Sequence, residues 1–519
     1  MMKSSQNKGR IVGRSISEIF VRSAAKSSLV LGEILVAGDD DIRFFLRVVD
    51  ISYGFEQGDT GWAINLAGSM MKMEETGRGF KFFDRDNRSF EMGKCVIMGY
   101  TKDNLFKRAK SLPPLFSEVY IPEAIDLDFI REYAGELTVG RLRSGEDVLD
   151  LKVGMSKGYI QSHTGIFATT GMGKSNLMKT LAGSVMENRG TGLLIFDPHG
   201  EYIDGGESHK KGLKHHPKAD DKLSIFSYRE LSINYNKLII GHRELEIDDL
   251  QNLMDFSQAQ IEAAHALRKK HGKEWLKRLD EQSAKELLDE ESSAKFHEMT
   301  IAVLQRRANQ IFQQNIFHKD DNVSVTEKII ADLKKGMIVL IDLSGLSGWR
   351  ELLPAAVITR KIFESYRNEF RNPKAFKALP NIAIVLEEAQ RVLGQLSRTK
   401  DNIFARLCRE GRKFKVGMTA ITQQPKLIDE EILSQFNTLF ILGLADERDR
   451  NILRSSSRQD ISELSREIQM LQPGEALITS PHTPFAIPAK IDLYEDYLSD
   501  VKTVIKDKTI IPSPDSNFF

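Results

Sequence analysis

The sequence has few cysteines: Cys95 and Cys408 are the two in 519 residues. They are too far apart for the spacing of a metal-ligand motif, and so few cysteines cannot form a disulfide framework. The sequence therefore predicts no structural metal site and favours a reducing compartment.

The sequence also lacks a net charge and long hydrophobic runs. Lysine plus arginine and aspartate plus glutamate are balanced at 73 each, so overall charge gives no evidence for a nucleic-acid partner and any basic surface has to be local.

The longest apolar runs, such as IAIVL and TLFIL, are too short to cross a membrane, and no apolar segment follows the polar start MMKSSQNKGR. We therefore expect a soluble, cytoplasmic protein with no membrane partner.

The chain is long enough, at 519 residues with 41% hydrophobic and 28% charged, for two or three globular domains. From Ile11 to about Tyr100, the short runs SLVLGEILVAG, RFFLRVVDISYG, GFKFFD and KCVIMGY are separated by Gly, Asp and Asn clusters and predict a small β-barrel. The stretch TGWAINLAGSMMKMEETG interrupts these runs and is predicted to be helical. Together with a mixed connector, this first domain is predicted to cover residues 1–145.

The middle of the chain has the alternation typical of an α/β domain. The apolar runs GIFA, GLLIFD, MIVLIDLSG, AIVLEEA, VGMTAIT and TLFILGL alternate with helical segments, which indicates a parallel sheet with helices on both faces. This domain is predicted over residues 146–480, with a charged helical insertion free of strands at about 243–335. After Pro473 come a strand pair, GEALITS and FAIPAKID, and residues 481–519 are predicted to form a C-terminal strand and tail.

A glycine-rich turn between a strand and a helix, IFATTGMGKSNLMKT, carries the most specific motif. It matches GxxxxGK[ST] except at the first position, where Ala168 replaces Gly. The glycines let the loop turn its N–H groups towards phosphate oxygens, while the lysine adds a positive charge and the serine a hydroxyl for Mg²⁺. The residues predicted to bind ATP are Thr170, Gly171, Met172, Gly173, Lys174, Ser175 and Asn176. The alternative is an ordinary glycine-rich turn followed by a chance Lys-Ser pair.

Polar side chains stand at the C-terminal ends of two further predicted strands. IAIVLEEAQ ends in Glu387, predicted to hold Mg²⁺ through a bound water, and Glu388, predicted to polarise the attacking water. Gln423, after VGMTAIT, is predicted to sense the γ-phosphate or to orient that water. The alternatives are two glutamates that complement a helix dipole, and a plain polar strand end before a proline.

Three further groups of charged residues have open interpretations. Arg412, in LCREGRKFKVG, is predicted to reach a neighbouring subunit's nucleotide, or else to be part of a solvated basic helix end. Asp197, in FDPHGEY, is predicted to lie near the nucleotide, or else to be a turn residue. The basic stretch SHKKGLKHHPK either contacts DNA phosphates or is merely solvated.

The motifs ATTGMGKSN, LLIFDPHGEY, VLEEAQ, REGRKFKVG and TAITQQP, in this order, resemble the HerA family, hexameric DNA translocases related to FtsK. The opening runs GRIVGRSISEIFVRS, LVLGEILVAG and RFFLRVVDI are similar to the N-terminal β-barrel of the same family. The likeness covers nearly the whole chain. It implies an α/β fold with a RecA-like P-loop ATPase core, an N-terminal barrel of the HAS-barrel type and a helical insertion.

The resemblance also implies a role for single residues. It assigns phosphate binding to Lys174, Mg²⁺ to Ser175 with Glu387, water activation to Glu388 and nucleotide sensing to Gln423. It further implies that Arg412 serves an adjoining subunit's site and that Asp197 lies near the nucleotide.

The chain departs from the family pattern in three places. Ala168 and Gln390 replace the usual Gly and His, which is expected to be a mild change. Ser162 and His163 occupy the position of a common Arg-His pair, so a second arginine acting on a neighbouring subunit is in question.

The resemblance implies an ATP hydrolase with Mg²⁺, an ATP-driven translocase or helicase. A homohexameric ring would thread double-stranded DNA and work with a NurA-like nuclease in end resection and recombinational repair. The alternative is the HerA-like ATPase of an anti-phage defence complex that assembles a nuclease or sirtuin-like effector. Two further rivals are a conjugation or secretion ATPase, disfavoured by the missing hydrophobic anchor, and a scaffold whose nucleotide binding only assembles a partner.

Overall fold

The structure, a computed structural model, describes the residues in the ranges 7–24, 27–38, 41–55, 60–75, 89–103, 105–206, 210–251, 253–287, 296–394 and 402–509. Its contacts divide the chain into two compact units. The barrel unit comprises Met1–Gly135, Gly140–Val153 and Arg458–Ile491, and the ATPase unit comprises Glu136–Val139, Gly154–Ser457 and Asp492–Phe519. The domain limits expected from the sequence, at residues 145 and 480, stay a prediction.

The barrel unit begins with an antiparallel sheet whose strand order is β2-β1-β7-β3-β4-β5-β6, and the additional pairing of β2 with β5 closes it into a barrel. Its strands are β1 Asn7–Ser15, β2 Glu18–Ser23, β3 Ile34–Gly38, β4 Ile42–Phe55, β5 Ser89–Lys102, β6 Leu105–Lys107 and β7 Glu118–Tyr120. Alternate residues point inwards. The interior is filled by side chains such as Ile11, Val21, Leu35, Leu46 and Val48.

This architecture confirms the predicted N-terminal β-barrel. The interrupting stretch forms a helix, Thr60–Glu75, as predicted. The predicted run GFKFFD, at residues 79–84, lies outside the described residues.

The barrel unit also contains β20 Glu475–Thr479, β21 Ile487–Ile491 and most of β8 Leu137–Ser144 and β9 Asp147–Met155, which are neighbours in the order β20-β21-β8-β9. The first two of these strands pair with the register Glu475↔Lys490, which confirms the strand pair predicted after Pro473. Two short helical segments, Ser462–Leu464 and Ser465–Met470, precede this pair.

The ATPase unit is built on a parallel sheet with the strand order β13-β12-β16-β11-β17-β18-β10-β19. Its strands are β10 Thr164–Phe167, β11 Thr191–Asp197, β12 Leu223–Ser227, β13 Asn236–Lys237, β16 Ile338–Asp342, β17 Asn381–Leu386, β18 Val416–Thr422 and β19 Thr438–Ile441. Every residue of β10, β11, β16 and β18 is buried, as expected for strands covered by helices on both faces. The α/β class and the phosphate-loop core are therefore confirmed.

Helices connect these strands and cover the sheet. The helices of the ATPase unit are Lys174–Glu187, Glu201–Asp204, Ala219–Lys222, Ile247–Gln251, Gln258–His271, Trp275–Glu281, Ala284–Leu287, Glu298–Phe312, Thr326–Lys334, Trp349–Glu369, Pro373–Ala378, Gln390–Leu393, Ile403–Glu410, Glu430–Leu433, Glu447–Ser456 and Tyr494–Thr509. Among the described residues, none of the helices combines the length and apolar character needed to cross a lipid bilayer.

The predicted helical insertion at about 243–335 is mainly helical in its described part, but one correction is needed. Phe317–His318 form a short strand, β15, that pairs in parallel with β14, Ile240–Gly241. This strand could not be predicted from the sequence, because two residues are too few to show alternation.

The C-terminal segment, predicted as a strand and tail, contains a helix at Tyr494–Thr509. Its aromatic residues pack on the helix that follows the phosphate loop: a Cβ atom added at Gly183 would meet the Tyr497 ring at 2.6 Å. Tyr494 and Leu498 are buried, so this helix belongs to the core of the ATPase unit. Residues 510–519 lie outside the described residues.

Candidate nucleotide-binding site

The predicted site residues lie at one edge of the parallel sheet. The loop at 168–173 follows β10, Glu387 follows β17 and Gln423 follows β18, and these strands are neighbours in the order β17-β18-β10. In register, Phe167 pairs with Thr422 and Leu386 with Ala420, so the three strands end at similar heights. The carboxyl edge of a parallel sheet is where α/β proteins bind ligands.

The phosphate loop has the backbone that its glycines predict. Gly171 and Gly173 have φ values of 80° and 100°, a left-handed conformation that residues with a Cβ atom rarely adopt. The Lys174 ammonium group donates to the carbonyl oxygens of Ala168 at 3.2 Å and Thr169 at 3.1 Å, inside the loop. Burial lowers the pKa of Lys174, while the charges of the nearby glutamates, foremost Glu388, raise it.

The residues of the loop fit a triphosphate with Mg²⁺. Gly173 is the N-cap of the helix Lys174–Glu187 and no side chain caps its first turn, so the N–H groups of that turn are available to an anion. The Ser175 hydroxyl and the Glu387 carboxylate are oxygen donors of the kind that Mg²⁺ prefers. Which of these atoms bind nucleotide stays a prediction.

Glu388 is held by two glutamine amides. Nε2 of Gln390 donates to its Oε2 at 2.6 Å, and Nε2 of Gln423 donates to its Oε1 at 3.3 Å. Thr422 in turn donates to Oε1 of Gln390 at 2.6 Å, and Thr170 of the phosphate loop donates to Oε1 of Gln423. One chain of hydrogen bonds therefore connects the loop, through Gln423, to Oε1 of the predicted water-polarising carboxylate, and a second chain connects Thr422, through Gln390, to its Oε2.

The backbone of Glu388 supports this arrangement. Its φ of 47° lies in the left-handed region, which is uncommon for a residue with a side chain. Such conformations cost about 1–3 kcal/mol and cluster at functional sites. The turn directs its carboxylate to the glutamines that bind it.

Glu387 is in a different environment from Glu388. It is mostly buried and accepts a hydrogen bond from the hydroxyl of the fully buried Tyr202, and Nε2 of His199 lies 3.7 Å from its other oxygen. Burial raises the pKa of Glu387 to about 7, and the Tyr202 hydrogen bond acts against this rise. Because this carboxyl group is poorly solvated, a bound cation would stabilise its charged form.

Asp197 supports the site from within the core. It is fully buried, and its carboxylate accepts backbone N–H groups of residues 199–202 at 2.7–3.2 Å. These bonds fix the turn that presents His199 and Tyr202 to Glu387. Its carboxylate is already engaged in binding the backbone, so its predicted place near the nucleotide stays a prediction.

Asn176 is engaged with the C-terminal segment. Its Nδ2 donates to the carbonyl oxygen of Asp492 at 2.9 Å, and its Oδ1 accepts the N–H of Tyr494 at 2.9 Å. A nucleotide contact of this residue, predicted from the sequence, would therefore have to use its backbone.

Arg412 lies at the opposite edge of the sheet from the phosphate loop. It belongs to the 3₁₀ turn Gly411–Phe414 directly before β18, whereas Gln423 directly follows β18. The seven residues of that strand separate the two by about 20 Å. The Arg412 side chain is exposed and makes no ion pair with any described residue, in contrast to Arg409, which pairs with Glu431.

His163 is buried close to Arg412. Its Nδ1 accepts the N–H of Met418 at 3.0 Å, and its φ is 58°. Burial, with a further contribution from the Arg412 charge, lowers the pKa of His163 to about 4, so the ring is neutral at pH 7. The neighbouring Ser162 is buried as well, so neither residue reaches out of the subunit as an arginine could.

The basic stretch at 208–218 is partly paired within the ATPase unit. Lys214 forms an ion pair with Asp204, and Lys218 pairs with Glu187 at 2.8 Å. His216 is buried against the same glutamate, and Ser208 and His209 lie outside the described residues. Because these basic groups are paired or buried, fewer of them are available to contact DNA phosphates than the sequence alone indicated.

One group of potential metal ligands occurs among the described residues, in the helical insertion. His242, Glu274 and Asp321 bring their ligand atoms within 4.8 Å of one another. Arg243 already donates to Glu274 and lies 3.0 Å from Asp321, so the carboxylates neutralise an arginine. The group is an ion-pair network that joins three segments of the insertion.

Comparison with known proteins finds similarity to the HerA helicases. The model of the HerA helicase central domain matches residues 137–362. The double-strand break repair helicase HerA of Saccharolobus solfataricus is 28% identical over 397 residues, 75% of each chain, and that of Sulfolobus acidocaldarius is 29% identical over 382 residues, 70% of this chain and 71% of its own. The chain is therefore similar to HerA helicases over most of its length.

The chain also resembles solved structures. The bacterial conjugative coupling protein TrwB aligns over 70% of the chain and 91% of its own length, with 14% sequence identity and a TM-score of 0.47.

Sequence reasoning missed two residues of the site. Tyr202 was part of a quoted motif, FDPHGEY, but nothing in a single sequence reveals that its hydroxyl reaches Glu387 across the sheet edge. Gln390 was noted only as a departure from the family pattern, although it binds Glu388. Its position two residues after a glutamate at a strand end was the available signal.

Proposed function

We propose that the chain is an ATP-driven motor that moves along or unwinds duplex DNA. The observation that carries the proposal is the hydrogen-bonded connection from Thr170 in the phosphate loop, through Gln423, to Glu388. Such a connection lets the state of the phosphates affect the group that activates water, which is what a motor requires of its ATPase site. The relatives' description as DNA double-strand break repair helicases supports DNA as the track.

In the proposed reaction each residue has one task. Lys174 and the N–H groups of the following helix bind the phosphates, and Ser175 with Glu387 would hold Mg²⁺, which supplies positive charge to the phosphate oxygens when bound. Glu388 orients and polarises the attacking water. Gln423 aligns the carboxylate with the loop, and we propose that its amide group contacts the terminal phosphate.

The proposed motor is a ring in which neighbouring subunits share sites. Arg412 lies about 20 Å, the length of β18, from the carboxyl edge of its own sheet, so it cannot reach its own nucleotide. An exposed arginine without an ion pair to the described residues is suited to a neighbour's site. A head-to-tail interface of this kind closes into a cyclic ring, and we propose a homohexamer.

The finer part of the proposal concerns the partner. The cluster of potential metal ligands found in the described residues is neutralised by Arg243, so we propose that a separate, NurA-like nuclease cuts the DNA while this chain moves it. Repair of double-strand breaks is the proposed context. An effector of anti-phage defence in place of a repair nuclease is the alternative outcome of a pull-down with the purified ring.

The proposal is tested by measuring steady-state ATP hydrolysis with and without duplex DNA. We expect turnover that duplex stimulates, and no turnover for Lys174→Ala although the variant stays folded. Saturable ATP binding without turnover at any DNA concentration would instead identify a nucleotide-dependent scaffold.

A further inference from the structure

The barrel unit contains a cavity whose function the ATPase site does not explain. It has a volume of about 370 Å³, within the range of small-molecule sites. Three arginines line it, Arg47, Arg108 and Arg458, together with apolar side chains such as Met98 and Phe485. All of its lining residues belong to the barrel unit.

The floor of the cavity carries an excess of buried positive charge. Arg47 is 2% exposed and donates to Oε1 of Glu467 at 2.5 Å, and the buried Arg143 donates to the same oxygen. Two guanidinium groups thus share one carboxylate, which leaves one positive charge uncompensated within this trio. Burying an unpaired charge is unfavourable, so a further anion would stabilise the arrangement.

Arg47 also retains an unused donor. Its terminal nitrogens bind Glu467 and the carbonyl oxygen of Ala486, at 2.5 Å and 2.9 Å, but its buried Nε has no acceptor among the described residues. A buried donor without a partner costs about 1–3 kcal/mol. Arg47 lines the cavity, so its incompletely hydrogen-bonded guanidinium group places positive charge next to it.

The rim adds two exposed charges of the same sign. Arg108 and Arg458 are exposed and form no ion pair with any described residue. Two acidic residues also line the cavity, but Glu463 pairs with Lys94 at 2.7 Å, and Asp460 accepts the N–H of Ser462 at 2.9 Å. The balance of the lining therefore favours an anion.

We propose that this cavity binds a small phosphate ester. The phosphate group would be held by the two rim arginines, because a guanidinium group matches phosphate oxygens with paired donors, and the buried positive charge of Arg47 would attract it. The organic part would lie against the apolar wall at Met98 and Phe485. A nucleoside monophosphate has the size and the mixed character that this lining requires.

The test measures binding by isothermal titration calorimetry with the full chain carrying Lys174→Ala, which removes the ammonium group proposed to bind phosphate at the ATPase site. AMP and a 5′-phosphorylated trinucleotide are the probes, so that a free ester and the end of a nucleic acid are distinguished. We expect one saturable AMP site per chain, weakened about tenfold or more by Arg108→Glu or Arg458→Glu. Arg14→Glu, at an exposed arginine of β1 that does not line the cavity, should leave binding unchanged.

Two results would overturn the proposal. One is the absence of saturable AMP binding in the folded protein, and the other is AMP binding that neither rim substitution weakens. Binding of the trinucleotide but not of AMP would replace the free ester with a nucleic-acid end and so would also reject it. Since the rim residues are exposed, these variants are expected to fold even if Arg47 cannot be replaced. Because the test needs no ATP turnover, its result is independent of the proposed motor function.

Discussion

Gln423 donates from its side-chain amide to Glu388 at 3.3 Å while its carbonyl oxygen accepts the hydroxyl of Thr170. One side chain therefore contacts both the phosphate loop and the predicted water-polarising residue. Since β18 and β10 are adjacent in the sheet, this contact follows from strand order and needs no long loop.

Removing this side chain should affect the chemical step more than ATP binding. Gln423→Ala is expected to lower kcat by about 10- to 100-fold with a change in KM below about threefold, because the interaction orients the base more than it holds the substrate. Steady-state kinetics check this. Gln424→Ala, at the exposed neighbouring glutamine, serves as the control and should keep near-normal kinetics. A large rise in KM with unchanged kcat would show that Gln423 only binds nucleotide.

Gln390 should hold Glu388 in its working orientation. In Gln390→Ala the amide that donates to Oε2 of Glu388 at 2.6 Å is lost, so kcat for ATP hydrolysis is expected to fall by about 10- to 100-fold. Gln390→His, which can still donate a hydrogen bond, should keep near-normal kcat. Steady-state kinetics check this, and an unchanged kcat in Gln390→Ala would contradict this role.

The parts of the site that could be predicted from the sequence are those marked by a short local sequence pattern. Gly171, Gly173 and Lys174 are constrained by a short turn, and apolar strands ending in Glu387 and Gln423 were visible as runs. The hydrogen bonds of Tyr202 and Gln390 depend on which strand ends lie side by side, which a single sequence does not encode locally. The helix Tyr494–Thr509 was missed because the segment is polar apart from a few residues, and packing against Gly183 decides its structure.

Arg412 should act on the neighbouring subunit. Arg412→Ala and Glu388→Gln are each expected to abolish turnover, and mixing the two variants should restore activity because some interfaces then combine an intact Arg412 with an intact Glu388. At equal amounts about a quarter of the sites would be intact if subunits assemble at random. Lys413→Ala, at the adjacent exposed lysine, is the control. Failure to recover activity at every mixing ratio would argue against a shared site.

His163 should make stability depend on pH. Its pKa is lowered from 6.5 to about 4 in the folded chain, so below pH 6.5 the unfolded chain takes up a proton that the folded chain does not bind. Stability is therefore lost as the pH falls from 7 towards 4, and the loss from this residue between pH 7 and pH 5 is about 2 kcal/mol.

Denaturant titrations at pH 7 and pH 5 test this expectation. His163→Asn tolerates the positive φ and can accept the Met418 N–H, but it does not titrate. This variant should lose less stability than the natural protein over the same interval. Equal losses in the two proteins would mean that His163 is not neutral in the folded state.

Movement along duplex DNA can be measured directly, as displacement of a third strand from a triplex, for the natural protein and for Glu388→Gln. We expect displacement that requires ATP in the natural protein, and none in Glu388→Gln although this variant still binds ATP and DNA. Displacement by Glu388→Gln at the natural rate would contradict the claim that hydrolysis directed by Glu388 drives the motor.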